Sequence, residues 1–432
     1  MRDTKESRTI RLGDHCLKIG SGATPRGGKE AYLSEGPFSL IRSQNILNER
    51  FSFGGLAFIS QTQADQLSNV EVLADDVLLN ITGDSVARVC QVDPAVLPAR
   101  VNQHVAIIRP DKEIIDPRFL RYLLVSPEMQ SHMLGLSASG ATRNALTKGM
   151  IEKFEIPLIP LPEQRAIAAT LGALDDKIEL NRRMNATLEA MARALFRDWF
   201  VDFGPTRTKM AGEAPDLSPD LLSLFPDRLD DAGKPVGWDN VPMDALAEVT
   251  MGISPEGSTY NDTGVGTPLC NGPVEYGDFF LRQIKWTTAP SKLARRGDLI
   301  ICVRGSTTGR HAFADAEYCL GRGVASIRGR ESNQEFVETA LMLQMDRLLQ
   351  KTTGSVFPSL ATQDIKKFAL VDPGQALRMA FATIVRPMRD RIWSNAEESQ
   401  TLAQTRDLLL PRLMSGELRV ADLDQAEKET AA

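Results

Sequence analysis

An internal repeat is the feature that most constrains how this chain of 432 residues can fold. Residues 140–181 align without a gap with residues 354–395, and ten of the 42 aligned positions are identical, among them Asn181 with Asn395. Upstream, DVLLNITG (76–83) parallels DLIICVRG (298–305), VAIIR parallels VASIR, and the early GATP parallels a later GISP. The offset shrinks from 230 to 214 along the chain, so the order of elements persists while the loops differ in length. We interpret the chain as a tandem duplication with divergent loops.

Each half begins with about 130–160 residues of short apolar runs separated by Gly, Asn, Asp and Ser. The runs VLLNIT, HVAIIR, LIICV and GVASIR are rich in β-branched residues and bounded by turn formers, which predicts strands. A chain of this length exceeds a single hydrophobic core. The sequence therefore predicts two β-rich units, one in each half.

A heptad pattern follows the β-rich part of each half and predicts a helix over Pro162–Val201 and another over roughly Gln375–Leu413. The first seam comprises Ile167, Leu171, Leu174, Ile178, Asn181, Asn185, Leu188, Ala192, Leu195 and Trp199. The second comprises Phe381, Val385, Met388, Ile392, Asn395, Ser399, Leu402, Arg406, Leu409 and Leu413. Two heptad helices in one chain most simply pack on each other, although helices that merely fill a core remain the alternative.

Gly172 and Pro387 fall at almost the same place in the two patterns. Because an interior proline removes a backbone hydrogen bond, we expect a kink, or a short helix followed by a longer one. Asn181 and Asn395 on the seams would fix the register of the pair at some cost in stability. An antiparallel pair would hold the β-rich units at opposite ends, related by a pseudo-twofold axis.

The predicted fold class is α+β, with two β-rich domains joined by two long helices that pair as an antiparallel coiled coil in a pseudo-twofold tandem repeat. The predicted boundaries are 1–160 for the first β-rich domain, 161–204 for the first helix, 205–238 for a linker rich in Pro, Gly and Asp, 239–373 for the second β-rich domain, 374–420 for the second helix and 421–432 for a frayed tail.

Composition narrows the class of protein. Hydrophobic residues make up 42% and charged residues 25%, which is ordinary for a globular protein. No apolar run spans a membrane and the N-terminus has no apolar signal core, so we expect a cytoplasmic protein. The five cysteines form no CxxC pair, which favours reduced thiols in cores. The net charge of −6 argues only weakly against nucleic acid, since phosphate contacts need local charge. Residues 292–330 carry eight basic and three acidic side chains, which fits either a DNA-facing or an ordinary solvated surface.

Catalytic motifs are missing from the sequence. No Asp/Asn/Ser-Pro-Pro-aromatic motif is present to hold an extruded adenine, and no glycine-rich cofactor loop follows a strand. GSGATPRGGKE (20–30) has the wrong spacing for a phosphate-binding loop, and RGSTTGRH fails likewise. The four histidines lack metal-ligand spacing, and no nucleophile elbow occurs. We expect no catalytic residues and no metal site.

Several long segments resemble a known family. Residues 160–205, PLPEQRAIAATLGALDDKIELNRRMNATLEAMARALFRDWFVDFGP, closely resemble the central conserved region of specificity subunits of type I restriction–modification systems. LLLPRLMSGELRV (408–420) resembles the matching C-terminal region of that family. IRSQNI (41–46), LLNITGDS (78–85) and NGPVEYG (271–277) are similar to segments of its target-recognition domains. The resemblance covers essentially the whole chain.

The resemblance implies a non-catalytic subunit. Each β-rich domain would be a target-recognition domain that reads one half of a split sequence in double-stranded DNA, and the paired helices would act as a spacer. The helices would also dock two adenine methyltransferase subunits, and nuclease/translocase subunits would join for restriction. No cofactor is expected on this chain; S-adenosylmethionine, ATP and Mg²⁺ are expected on the partner subunits.

Candidate DNA contacts are polar side chains in the loops between strands, because arginine suits guanine edges and amides suit adenine edges. In the first domain we select Arg26, Lys29, Arg42, Gln44, Asn45, Arg88, Asn102, Gln103 and Arg143. In the second we select Tyr260, Asn271, Arg304, Ser306, Thr307, Arg310 and Arg322. Any one of them can instead be an ordinary solvated loop residue, and Gln44 and Asn45 can cap turns.

The leading hypothesis is a DNA-recognition subunit that scaffolds methyltransferase and nuclease subunits. The alternative is a coiled-coil scaffold whose two β-rich units bind protein rather than DNA. A solitary nuclease or methyltransferase is disfavoured by the missing motifs.

Overall fold

A computed structural model describes residues 9–25, 27–138, 144–213, 216–331, 333–352 and 358–422. The chain divides into two compact units. Unit 1 holds the described residues up to Ile178 and from Thr401 onward, and unit 2 holds residues 179–400. Each unit thus combines a β-rich part with stretches of both long helices.

Unit 1 contains ten described strands and four shorter helices before the first long helix. The strands are β1 (Thr9–Arg11), β2 (Cys16–Ser21), β3 (Phe38–Ile41), β4 (Ala57–Ile59), β5 (Glu71–Val72), β6 (Val77–Asn80), β7 (Val89–Gln91), β8 (Ala99–Val101), β9 (Val105–Pro110) and β10 (Glu155–Pro157). The helices are α1 (Gln61–Gln66), α2 (Pro117–Val125), α3 (Pro127–Ala138) and α4 (Lys148–Glu152), followed by the long α5 (Leu161–Phe200).

Unit 2 repeats this order of elements. Its described strands are β11 (Asp239–Pro242), β12 (Ala247–Met251), β13 (Tyr260–Asn261), β14 (Thr267–Cys270), β15 (Trp286–Thr287), β16 (Leu293–Ala294), β17 (Leu299–Cys302), β18 (His311–Phe313), β19 (Tyr318–Leu320), β20 (Val324–Gly329) and β21 (Ala369–Asp372). Its helices are α6 (Gly204–Met210), α7 (Pro219–Ser223), α8 (Met243–Leu246), α9 (Gln334–Leu343), α10 (Met345–Leu349), α11 (Thr362–Lys366) and the long α12 (Gln375–Met414).

The sheet topology confirms the duplication. One sheet has the order β2-β9-β6-β7 in unit 1 and β12-β20-β17-β18 in unit 2, with all neighbours antiparallel. A second sheet is built around a parallel pair, β3 with β8 in unit 1 and β14 with β19 in unit 2. A two-stranded ribbon, β1 with β10 or β11 with β21, joins the first and last strands of each β-rich part. The four strands predicted from VLLNIT, HVAIIR, LIICV and GVASIR are confirmed as β6, β9, β17 and β20.

The central strands are continuously apolar because both of their faces are buried. In β6, Val77 and Leu79 face a core that also contains Phe119 of α2. Leu78 points to the opposite face, into a core shared with Ile107 of β9. Alternation of side chains along a strand thus lets one strand contribute to two cores. In unit 2, β17 divides its residues between two cores in the same way.

The long helices pair antiparallel within each unit, as the heptads predict. In unit 1, Leu171 of α5 shares a core with Leu410 and Leu413 of α12. In unit 2 the ring centroids of Trp199 and Phe381 are 6.1 Å apart. Early residues of α5 therefore meet late residues of α12, and late residues meet early ones. All residues of the two predicted seams are buried or half-buried. At about 1.5 Å per residue, each 40-residue helix is roughly 60 Å long.

The predicted division into a short and a longer helix is wrong, because α5 and α12 run unbroken through Gly172 and Pro387. Gly172 makes room for a side chain instead of ending the helix, since Arg118 donates to its carbonyl oxygen at 3.0 Å. Beside Pro387, Arg386 and Arg389 are held by ion pairs that support this turn of the helix. A bend within a continuous helix stays a prediction.

Residues 205–238, expected to form a linker, are packed in their described part. α6 and α7 lie in this segment, and Phe225 and Trp238 are buried in the core of unit 2. The ring centroids of Trp199 and Phe225 are 5.2 Å apart, and those of Phe200 and Trp238 are 5.9 Å apart. The high Pro, Gly and Asp content reflects tight turns between buried aromatic anchors. Of the predicted tail 421–432, only the first two residues are described, and they are helical. No described helix is both long and apolar enough to cross a membrane.

Candidate nucleic-acid interface

Four loops of unit 1 meet at one edge of its sheets, and we call them loop cluster 1 (residues 22–25, 42–46, 81–88 and 102–104). The Gly22 amide donates to the Asn102 carbonyl at 3.1 Å, and the Asn102 amide donates to the Ile41 carbonyl at 3.1 Å. The Ile81 amide donates to the His104 carbonyl at 3.0 Å. Backbone hydrogen bonds therefore fix loops that are as much as 80 residues apart in the sequence.

A close backbone approach explains the glycine that opens both GATP and GISP. A Cβ atom on Gly22 would lie 1.7 Å from the carbonyl oxygen of Val101. A Cβ atom on Gly252, the equivalent residue of unit 2, would lie 2.1 Å from the carbonyl oxygen of Gly321. Only glycine lets these two loops touch, so the repeated motif marks an assembly point of each cluster.

A chain of side-chain hydrogen bonds crosses loop cluster 1. The Thr24 hydroxyl donates to Gln103 Oε1 at 2.6 Å, and Gln103 Nε2 lies 3.0 Å from His104 Nε2. His104 Nδ1 lies 2.6 Å from Thr82 Oγ1. Because the Gln103 amide donates to His104 Nε2, the imidazole carries its proton on Nδ1 and donates to Thr82. Sequence reasoning selected Gln103 but missed the other three residues.

Two selected asparagines support the loops from inside. Asn45 is fully buried; its Oδ1 accepts from the Arg42 amide at 3.0 Å, and its Nδ2 donates to the Ser52 carbonyl at 2.9 Å. Asn102 is also buried, and its Oδ1 accepts from the His104 amide at 3.0 Å. Both polar atoms of Asn45 and the Oδ1 of Asn102 thus bond to loop backbone, and the selection of these two residues as DNA contacts stays a prediction. The turn-forming alternative for Asn45 agrees with its bonds.

The remaining described candidates of unit 1 lie at or near the surface. Arg42 packs over the Tyr32 ring at 5.1 Å and bonds to the Gly55 carbonyl, to which Gln44 Nε2 also donates at 3.1 Å. Arg88 is exposed, and its guanidinium has no partner among the described residues. Arg26, Arg143 and the side chain of Lys29 lie outside the described part of the chain.

Unit 2 has an equivalent loop cluster 2 (residues 252–255, 271–276, 303–310 and 321–323). The Gly252 amide donates to the Val324 carbonyl at 3.0 Å, and the Gly321 amide donates to the Cys270 carbonyl at 2.8 Å. The Val303 amide donates to the Gly323 carbonyl at 2.8 Å. These bonds join the same loops as in unit 1.

Three candidates in loop cluster 2 are exposed and chemically available. Arg304, Ser306 and Arg322 have exposed side chains, and none of the three has a side-chain partner in the described parts of the chain. Arg322 is fixed through its backbone, since its amide donates to Ser254 Oγ at 3.2 Å. These two arginines are the best placed of the predicted residues to meet an anionic ligand.

Other candidates in unit 2 are partly engaged. Arg310 is exposed, lies over the Tyr276 ring at 5.7 Å and donates to the Tyr276 carbonyl at 3.4 Å. Thr307 Oγ1 is 3.4 Å from the sulfur of Cys302, and the Tyr260 hydroxyl donates to the Pro255 carbonyl at 3.1 Å. Asn271 is half-buried. These residues shape the loops and keep only part of their polar surface free.

The two clusters share a backbone scaffold and differ in what they present. Arg88 and Arg310 occupy equivalent positions. The Asn80 amide at the end of β6 donates to the Arg88 carbonyl at 2.9 Å, and the Cys302 amide at the end of β17 donates to the Arg310 carbonyl at 2.8 Å. The buried side chain that orders the turn after the parallel strand is Asn45 in unit 1 and Glu275 in unit 2. The residues at matching positions differ in chemistry: exposed Gln44 and Val274, half-buried Thr82 and exposed Arg304, exposed Gln103 and Arg322.

The basic stretch 292–330 is less available than its composition suggests. Arg328 pairs with buried Asp298 at 2.6 Å, just as Arg109 pairs with Asp76 at 2.7 Å in unit 1. Arg296 pairs with Glu397 at 2.5 Å. Of the other six basic residues, Arg304, Arg310 and Arg322 are exposed within loop cluster 2, and Lys292, Arg295 and Arg330 are exposed outside it.

The described residues offer no metal site, since they hold no cluster of three or more His, Cys, Asp or Glu side chains with suitable geometry. Burial raises the pKa of Cys16 to about 12 and that of Cys90 to about 12, so both stay protonated thiols at neutral pH. Neither thiol is poised as a nucleophile or metal ligand.

Comparison with known proteins identifies a protein family and several proteins to which this chain is similar. Residues 5–190 match the family described as type I restriction modification DNA specificity domain. This match and two relatives of about 25% identity make the chain similar to the specificity subunits of type I restriction–modification systems. It is similar to the type I restriction enzyme HindI specificity subunit of Haemophilus influenzae, with 25% identity over 374 residues that cover 74% of this chain and 81% of the relative.

A second relative is the type I restriction enzyme MjaIX specificity subunit of Methanocaldococcus jannaschii, with 25% identity over 336 residues, 76% of this chain and 74% of the relative. The fold is similar to the crystal structure of a type I restriction–modification system S subunit from M. genitalium, with a TM-score of 0.51 and 16% identity. That alignment covers 96% of this chain and 98% of the solved one.

Proposed function

We propose that each loop cluster reads one half of a split sequence in duplex DNA, so that the chain sets the target of a restriction–modification complex. The observation that carries this proposal is the repeated scaffold with different exposed side chains. Two loop clusters that recognise two different half-sequences need the same backbone scaffold but different side chains on their surfaces. The match of residues 5–190 to a DNA specificity domain supports DNA as the ligand.

The chemistry of the exposed groups fits base and phosphate contacts. Arginine donates in a bidentate manner to guanine, and glutamine pairs with adenine in the major groove. Arg304 and Arg322 are exposed and spend no charge on intramolecular partners among the described residues, so DNA contact would not disrupt the fold. Arg88 offers the same in unit 1.

The long helices would have two further roles. Their length would set the number of base pairs between the two halves, and their outer faces would dock methyltransferase and nuclease/translocase subunits. The chain itself would be non-catalytic and would bind no cofactor, with S-adenosylmethionine, ATP and Mg²⁺ acting on the partner subunits. The relatives' names, which describe restriction enzyme specificity subunits, support assembly into such a complex.

Mapping methylated adenines tests the proposal. DNA is sequenced from cells carrying the chain with its methyltransferase partner, and from cells carrying the partner alone. We expect methylation at one bipartite sequence only when the chain is present. Replacing residues 9–157 by the equivalent segment of another family member should change one half of that sequence and leave the other half intact. A change in both halves would contradict one reader per unit.

A protein-binding scaffold is the second candidate function, because loop cluster 2 also exposes the apolar side chains of Ile253 and Val274. Such residues are typical of protein contacts. Gel shifts of the reconstituted complex at moderate salt discriminate the two functions. Equal binding to cognate and random DNA would favour the scaffold.

A further inference from the structure

Helices α2 and α9 occupy equivalent places in the two units. Each follows β9 or β20, the last strand in sequence of the sheet β2-β9-β6-β7 or β12-β20-β17-β18. Each buries a phenylalanine, Phe119 or Phe336, in the core that its unit shares with the long helices. The sequences PRFLRYLLV and QEFVETALM align on these phenylalanines with a constant offset of 217. Arg118 and Arg121 of α2 therefore correspond to Glu335 and Glu338 of α9.

In unit 1, α2 is the basic partner. Arg121 Nη2 lies 2.6 Å from Asp175 Oδ2 of α5, and these side chains are only 5% and 16% exposed. Arg118 Nη2 lies 2.5 Å from Asp176 Oδ1 and donates to the Gly172 carbonyl at 3.0 Å. Burial alone would raise the pKa of the Asp175 carboxyl, but Arg121 and the other donors around it hold that pKa below its usual value.

In unit 2, α9 is the acidic partner. Glu338 makes a bidentate pair with Arg389 of α12, with Nε–Oε2 of 2.8 Å and Nη2–Oε1 of 2.9 Å. These side chains are 7% and 21% exposed. Glu335 Oε1 lies 2.7 Å from Arg386 Nε.

The repeat makes these contacts equivalent with their charges exchanged. An offset of 214 relates Asp175 to Arg389, and an offset of 217 relates Arg121 to Glu338. The same buried contact therefore carries arginine on α2 and carboxylate on α5 in one unit, and the opposite in the other.

We propose that this exchange of charge is a docking code that restricts each β-rich part to its own long helix. The two β-rich parts share a strand order, and each docks an apolar face on its long helix, so the charged contact adds a discrimination that the shared topology does not supply. A β-rich part docked on the wrong helix would place Arg121 against Arg389, or Glu338 against Asp175.

Buried like charges cost far more than the correct pairs gain. A buried ion pair contributes little net stability compared with an apolar contact, whereas an uncompensated buried charge is strongly destabilising. The pairs are therefore better suited to excluding the wrong helix than to strengthening the right one. The code also applies to a β-rich part transplanted from another protein. Its helix equivalent to α2 must carry a charge opposite to that of the long helix on which it docks.

Two chimeras of the full chain test the code. In the first, residues 9–157 are replaced by a second copy of residues 239–372, so that Glu335 and Glu338 of the copy face Asp175 and Asp176. The second chimera also carries Glu335→Arg and Glu338→Arg within the copy. We expect the first to melt roughly 5–10 °C below the second. Equal melting temperatures, or a more stable first chimera, would overturn the proposal. No DNA is present in this assay, so its outcome is independent of the proposed function.

If neither chimera melts cooperatively, a double-mutant cycle of charge reversals in the natural chain tests the proposal. Glu338→Arg and Arg389→Asp should each lower the melting temperature of unit 2, and the double variant should recover most of the loss because it mirrors the pair of unit 1. Additive losses in the double variant would overturn the proposal. Reversing the exposed pair Lys148–Glu152, whose side chains are 63% and 43% exposed, is the matched control and should change little.

Discussion

Replacing Gly172 by alanine sets two effects of similar size against each other. Glycine inside a helix is less favourable than alanine by about 0.8–1.0 kcal/mol, so relief of that cost favours the variant. A Cβ atom at this position, however, would lie 2.4 Å from Cζ of Arg118. Because carbon contacts are optimal near ~3.5–4.0 Å, the guanidinium would have to move by more than about 1 Å.

That movement would break the bond from Arg118 to the Gly172 carbonyl and its pair with Asp176. The pair is worth little, about 0–1 kcal/mol, because its side chains are 33% and 68% exposed. The bond to the carbonyl adds about 1 kcal/mol. We therefore expect Gly172→Ala to change stability by between about 0 and 1 kcal/mol in the unfavourable direction. In an Arg118→Ala background the same change should stabilise unit 1 by about 1 kcal/mol.

Hydrogen–deuterium exchange of α5 peptides measures this double-mutant cycle locally. Tryptophan fluorescence is unsuitable, because all four tryptophans lie in unit 2. The expected signature is a coupling energy of about 1–2 kcal/mol between positions 118 and 172. If Gly172→Ala stabilised α5 equally in both backgrounds, Arg118 would not contact this turn of α5, and glycine would not be needed there to make room for the guanidinium.

Three further changes test other parts of the molecule. Replacing both Asn181 and Asn395 by leucine should raise the free energy of unfolding of unit 2 in urea by about 1–2 kcal/mol. Because buried amides fix the register of paired helices, gel filtration of this variant should also reveal additional oligomers, and a single species would contradict that role. Arg304→Ala should leave melting unchanged, weaken DNA binding and, for a phosphate contact, lower the slope of log K against log salt by about 1; unchanged binding would remove Arg304 from the interface. Asp175→Asn should cost about 3 kcal/mol near pH 7. Arg121 and other donors outweigh burial and hold the pKa of Asp175 below its unfolded value of about 3.9. The loss of stability should therefore be full above pH ~4 and shrink as the pH falls through the lowered pKa. A loss of stability that does not depend on pH would contradict the pairing.

Periodicity predicted the elements well because burial leaves a regular trace in the sequence. The strand VLLNIT is uniformly apolar since its two faces meet two cores, and the seam of α5 repeats because one side of the helix faces α12. The supposed break at Gly172 was wrong for a reason that lies outside the helix. Arg118 is 54 residues away in the sequence, and nothing near Gly172 indicates its arrival.

The sequence does not separate ligand-binding loop residues from structural ones, because a loop residue can serve either a ligand or its own backbone. Asn45 and Asn102 look like exposed loop amides in the sequence, yet buried loops need such groups to satisfy their amides and carbonyls. His104 and Thr82 were overlooked because their hydrogen bond joins two loops that are adjacent only in the folded unit. The exchanged charges of α2 and α9 were equally hidden, since the two short helices share little beyond a phenylalanine.

The division of the chain into units has a consequence for how the protein is made. Unit 2 is one uninterrupted segment, whereas unit 1 completes its core with Leu410 and Leu413, near the end of the chain. Arg406, which pairs with Asp175 and with Glu49, is also translated late. A ribosome therefore finishes every part of unit 2 while the N-terminal unit still lacks its closing helical segment. Of the two units, the one whose β-rich part is translated first is therefore completed last, which reverses the usual order in which nascent domains fold.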